Sequence, residues 1–496
     1  MEKNTTKTEV REKIQELLKT LKAEQEKKPL RLVEQLGYLM YVRLFIESQK
    51  RASLQESFPF AGFPMEWTPG DEEVEDGQRI WQLQYQVQYC SSMVEPGHFM
   101  ETAKLEENGL WMRELCKLID WTVDHCDWEE GMPHLFGAML EETLRQMYAW
   151  GTTGLFLMPE NLTEALIRLA DGRNIEKVWN PATRTGGFLA AAHRQYPQWQ
   201  LYGCEEEKNQ WQIARMLQFY HGGGMEGIRR EDPLEADRID KTGERTPEGE
   251  VPVYEEYDLI VTNPPVGELP LEDQDRYWIS TRKAQLQYMQ MLMNHVKKQG
   301  MVITVVNEGT LFMYDAEQKV RQYLLNDYQI QGVISLPAGA FLPYTGSKAS
   351  VLIFTRKTEI DKEQPVWFYE IQNLGYSLDR KQEAIGVDDI PSMLVSWEQR
   401  EKLAQKWKEQ LKESSTQNQW ENPVPVHWEE KSCWFADLDT IAKNDNNLSA
   451  GRYKPWKTQE TIVTESPAQL LKKLADLEAD TMTKVQELME MARDYE

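Results

Sequence analysis

The sequence predicts an α/β fold: a parallel sheet with helices on both faces, preceded by an all-α N-terminal domain and followed by a C-terminal helix. Three observations predict it. Residues 1 to about 150 carry apolar side chains at helical spacing, with no convincing strand-like alternation. After Gly151, short apolar runs alternate with helical segments, as strand–helix–strand units do. Near the end, Ser466 and Pro467 read as the N-cap and first residue of a helix whose Leu470, Leu474, Leu477, Val485 and Leu488 form one narrow stripe.

In chain order, Val10, Ile14, Leu17 and Leu21 predict a first helix and Leu36 to Glu47 a second. The stretch Phe58 to Pro64, with its prolines and glycine, breaks the pattern. Helices resume over Ile80 to Met93, Leu110 to Val123 and Leu135 to Met147. Strands are then expected at 175–179, 199–202, 259–262, 301–306, 332–336 and 350–354. The polar segments 241–250 and 414–419 read as exposed loops. This gives a helical domain over 1–145, an α/β domain over 146–400, an extended region over 401–465 and an amphipathic helix over 466–496. That helix either folds back on the body or pairs with a partner helix.

The chain has 496 residues, 41% hydrophobic and 28% charged, enough for two or three domains of a soluble protein. No run approaches the length of a membrane span, and the polar N-terminus lacks the apolar core of a signal peptide. A cytoplasmic location is therefore expected. The five cysteines are scattered without a Cys-x-x-Cys pair, and the seven histidines are dispersed. Reduced, buried thiols and no metal site follow. The net charge of −25 either serves solubility or leaves the phosphate contacts of a nucleic-acid complex to a partner.

Ligands of parallel sheets sit at the carboxyl ends of the strands. Asn180-Pro-Ala-Thr-Arg-Thr-Gly-Gly-Phe188 follows the first strand, and its Thr185, Gly186 and Gly187 allow a ligand close to the backbone. Glu205 ends the second strand, where a carboxylate reaches ribose hydroxyls, and Asp232 stands where it could accept from an adenine amine. Asn263-Pro264-Pro265-Val266, after an apolar strand, is a rigid turn presenting an amide oxygen and a carbonyl to an exocyclic amine. Gly154 to Pro159 precedes them all. Taken singly, a Gly-Gly pair is a plain turn and Glu205 a solvated acid; the ordered set carries the signal.

With Leu-Pro-Ala-Gly-Ala-Phe at 336–341 and the segments 300–312, 366–378 and 447–453, the set resembles the modification subunit of type I restriction-modification systems, in the N6-adenine DNA methyltransferase family. The resemblance covers roughly residues 30 to 455. It implies a Rossmann-like S-adenosylmethionine-dependent methyltransferase sheet that transfers a methyl group to adenine N6 of a base flipped from duplex DNA. It implies catalytic roles at Asn263, Pro264, Pro265 and Val266, and a cofactor site built from Pro159, Asn180, Thr185, Gly186, Gly187, Phe188, Glu205 and Asp232. The implied partners are a specificity subunit, a restriction subunit, a second copy of the chain and double-stranded DNA.

Four residues depart from the family pattern. Val266 replaces the aromatic that stacks on the base, a contact worth about 1–3 kcal/mol. Asn180 replaces an Asp, Arg184 a Gly, and Met158 a Thr. All four fall at the implied pocket, so the sequence predicts a retained methyltransferase fold with impaired cofactor binding or catalysis. The alternative is a non-catalytic subunit of the same fold that binds DNA or serves assembly in a defence system.

Overall fold

The computed structural model describes residues 7–25, 29–54, 75–96, 98–125, 131–149, 157–236, 255–357, 359–379, 382–415 and 432–455, with 478 and 482. The chain divides into two compact units, Met1–Tyr453 and Lys454–Glu496. The predicted C-terminal helix belongs to the second and, apart from Glu478 and Met482, lies outside the described residues, as do the breaker at 58–64 and the loop at 241–250.

The N-terminal part of the first unit is helical: α1 (Lys7–Gln25), α2 (Pro29–Leu54), α3 (Asp76–Met93), α4 (Gly109–His125) and α5 (Met132–Ala149). Each predicted helix is present. Pro29 opens α2, where its missing N–H leaves no broken bond. Ile14, Leu17 and Leu21 are buried, as their spacing requires, in a core shared with Leu36, Leu39, Leu115, Ile119 and Leu140. Met216, Leu217 and Tyr220 of a later helix complete that core, so the helical layer packs directly on the sheet's outer helix.

The α/β part follows in the order α6 (Glu160–Arg168), β1 (Lys177–Asn180), α7 (Gly187–Gln195), β2 (Gln200–Cys204), α8 (Lys208–Tyr220), β3 (Ile228–Arg229), α9 (Pro233–Ala236) and β4 (Tyr257–Thr262). Next come α10 (Ala284–His295), β5 (Val296–Asn307), α11 (Glu308–Phe312), α12 (Ala316–Asp327), β6 (Gln329–Ser335), β7 (Ala349–Thr355), β8 (Val366–Glu370), β9 (Leu374–Tyr376) and β10 (Ala384–Asp388). The chain ends this unit with α13 (Ile390–Glu398), α14 (Arg400–Ser415), β11 (Cys433–Ala436) and α15 (Leu438–Lys443). Nine strands form one sheet in the order β11-β8-β6-β7-β5-β4-β1-β2-β3, and β9 and β10 form a separate pair.

All six predicted strands are present, within a few residues. The sheet is mostly parallel, but β7 runs antiparallel to β5 and β6, and β11 antiparallel to β8. The expectation of a wholly parallel sheet fails there for a topological reason: the β6–β7 connection contains no crossover helix, so the strand can only return beside its predecessor. Three strands of this sheet, and the separate β9–β10 pair, were not predicted. Strand β3 has two residues, β8 is an unbroken apolar run, and β11 is an edge. Ser414 and Ser415, expected in a loop, close α14 instead.

Candidate active site

At the tip of β1 the backbone turns sharply. Asn180 is buried, and its Oδ1 accepts the amide of Ala182 at 3.1 Å. Thr183 donates its hydroxyl to the Asn180 carbonyl at 2.8 Å, and its amide reaches the Cys204 carbonyl at 3.0 Å, tying the turn to β2. Arg184 then adopts a left-handed conformation, φ 54°, and Gly186 another, φ 94°. At Gly186 a Cβ would lie 2.9 Å from the Ala214 Cα, so only glycine lets α7 and α8 approach this closely. At Gly187 a Cβ would meet nothing, so this glycine faces open space at the start of α7. Arg184 has no such licence; a side chain in this conformation costs about 1–2 kcal/mol.

Glu205, at the tip of β2, lies across from this turn and is 7% exposed. One carboxylate oxygen accepts the Arg184 amide at 2.9 Å and the other accepts the Glu207 amide at 3.0 Å. Burial pushes its pKa up, against those amides and the charge of Arg184. A free lone pair on each oxygen remains for further donors. Asp232, after β3, accepts the Leu234 amide at 2.9 Å and stands 3.8 Å from the buried guanidinium of Arg276.

Tyr288 of α10 sits among these groups. Burial raises its pKa; the charges of Asp232 and Glu205 raise it further and that of Arg184 opposes them. It is 6% exposed. Sequence reasoning missed it, because Leu286, Met289 and Met293 make this stretch look like plain core.

Strand β4, buried from Leu259 to Thr262, delivers Asn263 to the carboxyl edge. Asn263, Pro264, Pro265 and Val266 line a narrow cleft of about 30 Å³ with Arg184, Gln285, Phe341 and Tyr344. Val266 is 55% exposed at its rim. The Asn263 amide donates to the Met158 sulfur at 3.6 Å, so one of the four departing residues, Met158, touches the Asn-Pro-Pro turn. Gln285 is fixed by the Asn307 amide at 3.0 Å and the Thr310 hydroxyl at 2.7 Å. Thr185, Gly187, Met158 and Pro159 line an adjoining cavity of about 310 Å³, where Pro159 opens α6. Phe188 is buried in the first turn of α7 and is not among the residues lining either space.

The sheet order, the glycine turn after β1, the acid at the tip of β2 and Asn-Pro-Pro after β4 together define a protein of the methyltransferase fold. The chain belongs to the N-6 DNA methylase family, whose model matches residues 131–461. It is 29% identical over 292 residues to the methylase subunit of the type I restriction enzyme EcoEI of Escherichia coli, and 26% identical over 292 residues to that of StySPI from Salmonella potsdam. The chain spans about half the length of the curated relatives it matches, 55% and 53% for these two. Among solved structures it is similar to a chain of a type I restriction-modification complex, with TM-score 0.64, 19% identity, 99% of this chain and 100% of that one covered. A type I methyltransferase subunit from Streptococcus thermophilus gives TM-score 0.64 at 17% identity, covering 90% and 99%. At these identities the two structures establish the fold.

The family implies S-adenosylmethionine, which carries a positive sulfonium and an ammonium. The residues present do not suit those charges. Asn180 is an amide whose oxygen already holds a backbone N–H. Met158 brings a thioether where a hydroxyl would donate. Arg184 brings a guanidinium that makes no ion pair among the described residues, into the same cleft as Asn263.

Proposed function

We propose that this chain is a methyltransferase-fold modification subunit of a type I restriction-modification-like assembly in which its own methyl transfer to adenine N6 is strongly attenuated. One observation carries the attenuation: Arg184 lines the cleft of Asn263–Val266 from a backbone position that favours glycine. In this reading Asn263 and Pro264 still offer acceptors to an adenine amine, and Val266 offers apolar contact at the rim. Glu205 and Asp232 hold the nucleoside side of the cradle, beside Pro159, Asn180, Thr185, Gly186, Gly187 and Phe188. The net charge of −25 supports reliance on a specificity subunit for most contacts with double-stranded DNA, with a second copy of this chain and a restriction subunit completing the assembly. No helix among the described residues is long and apolar enough to cross a membrane.

Calorimetry of the purified chain with S-adenosylmethionine tests the reading, and micromolar binding sinks it. A methylation assay with the combined N180D, R184G and V266Y variant is expected to regain activity that the natural chain lacks. One observation favours a second reading, an active enzyme with a variant pocket: Tyr344 lines the cleft beside Val266 and could supply the missing aromatic face. In that case the natural chain methylates DNA when its specificity subunit is added, and Tyr344→Ala abolishes the activity.

A further inference from the structure

Two side-chain amides meet at the cleft of Asn263–Val266, and the fold settles which way each one points. Gln285, in the first turn of α10, is 6% exposed and lines the cleft together with Asn263 and Asn307. Its Oε1 accepts the Asn307 amide at 3.0 Å and the Thr310 hydroxyl at 2.7 Å. A backbone amide can only donate, so the atom beside it is the oxygen. Both lone pairs of that oxygen are then used, and the group Gln285 brings to the cleft is its amide nitrogen, with two protons to give. Asn263 is turned the other way. Its Nδ2 donates to the Met158 sulfur at 3.6 Å, which leaves Oδ1 as the acceptor it offers. The cleft therefore presents an acceptor and a donor from two different elements, the end of β4 and the start of α10. Its volume, about 30 Å³, takes the edge of a base rather than the whole ring. Val266 and Tyr344 line the same cleft and are exposed, so contact is available to a ring that projects from it.

We propose that Gln285 sets the base specificity of this cleft: with the exocyclic amine held on Asn263, the Gln285 amide donates to the neighbouring ring nitrogen. An amine beside a bare ring nitrogen is the Watson–Crick edge of adenine and of cytosine, the edge by which an extruded base is read. Guanine and thymine carry a carbonyl beside an N–H on that edge. They would set oxygen against the Asn263 Oδ1 and hydrogen against hydrogen at Gln285. Rejection then comes from buried polar groups left unpaired, which discriminates more strongly than lost apolar contact. Gln285 takes no part in moving a methyl group. The proposal rests on the reading that the Asn263 cleft receives a base amine, and it is independent of whether the chain binds S-adenosylmethionine.

Saturation-transfer NMR on the full chain with 9-methyladenine, 9-methyl-1-deazaadenine and 9-methylhypoxanthine tests it. 9-Methyladenine is expected to bind about tenfold more tightly than the deaza analogue, which keeps the amine and loses the ring acceptor. 9-Methylhypoxanthine, with a carbonyl beside an N–H, should bind more weakly still. Gln285→Glu keeps the acceptor that anchors the side chain and replaces the donor by a second acceptor. At about pH 8, where the carboxyl is ionised, it should erase the preference for adenine over the deaza analogue. A merely structural role would weaken both ligands together and leave their ratio. If the variant does not fold, the ratio on the natural chain still decides. Equal binding of 9-methyladenine and its deaza analogue by the natural chain overturns the proposal, and so does a ratio that Gln285→Glu leaves unchanged. If Asn263→Ala removes adenine binding but no such ratio is seen, only the assignment of Gln285 falls. If 9-methyladenine does not bind at millimolar concentration, or binds regardless of Asn263→Ala, the reading of the cleft as a base site falls with it.

Discussion

Two polar clusters lie on opposite sides of α7 and α8, and they are built by opposite rules. On the helical side, Tyr38 donates to Glu34 at 2.8 Å, Arg31 donates to the same carboxylate at 2.8 Å, and Gln212 donates to the Tyr38 hydroxyl at 3.2 Å. Nearby, Glu141 takes Arg194 at 2.7 Å and faces His221 at 3.5 Å. Those bonds run from side chain to side chain between elements, although Gln212 Oε1 and His221 Nδ1 stay buried without a partner. At the carboxyl ends of the strands, Asn180 and Glu205 instead accept backbone amides of the turns beside them, and Arg184 makes no ion pair among the described residues. The first cluster is a joint between two layers; the second shapes the turn beside the cleft of Asn263–Val266.

The contrast can be broken by substitution. The largest effect is expected at Glu141. Burial raises its pKa, but the hydrogen bond from His221 and the charge of Arg194 prevail and hold it at about 2, from an ordinary 4.5. The stability this supplies is complete above pH 4.5 and is lost as pH falls through about 2. Glu141→Gln should lower unfolding free energy by about 3 kcal/mol at pH 7. It should also flatten the acid limb between those two pH values, read from urea midpoints across pH. Glu34→Ala, which strands the buried Tyr38 hydroxyl, should cost about 2 kcal/mol in the same assay. Arg184→Gly should stabilise by about 1 kcal/mol, because it releases a strained left-handed residue. Tyr288→Phe keeps the ring that packs in α10, so stability should move by less than about 0.5 kcal/mol. A large loss there would show that the hydroxyl is tied into the fold as the joint's side chains are.

The sequence exposes the joint and the site unequally. The five N-terminal helices were legible from apolar residues at helical spacing, and the six strands from short apolar runs set between helical segments. Strand β8 was not, since Val366-Trp-Phe-Tyr is apolar on both faces and reads equally as buried helix. The direction of β7 depends on the absence of a crossover, which composition does not encode. In the site, Asn263, Glu205 and Asp232 stand next to strand ends and could be found by order along the chain. Arg184, Met158, Asn180 and Val266 stood out only against the family pattern. The contact between Met158 and Asn263 joins residues far apart in sequence, and Tyr288 hides on a helix of otherwise apolar neighbours, so neither had a local signal.

The mounting of α10 has a mechanical consequence. Its first turn is bolted to the far end of β5, because Gln285 takes the Asn307 amide at 3.0 Å. Its last residue, His295, passes straight into Val296, the first residue of β5, with no intervening loop. Helix and strand therefore form a closed clasp, and Tyr288 rides on its rigid bar. Gln285, on the same bar, lines the cleft of Asn263–Val266, so a guest there meets a wall that does not tilt and little freedom is surrendered on arrival. Discrimination at this place would then act by rejection at the door rather than by adjustment after entry.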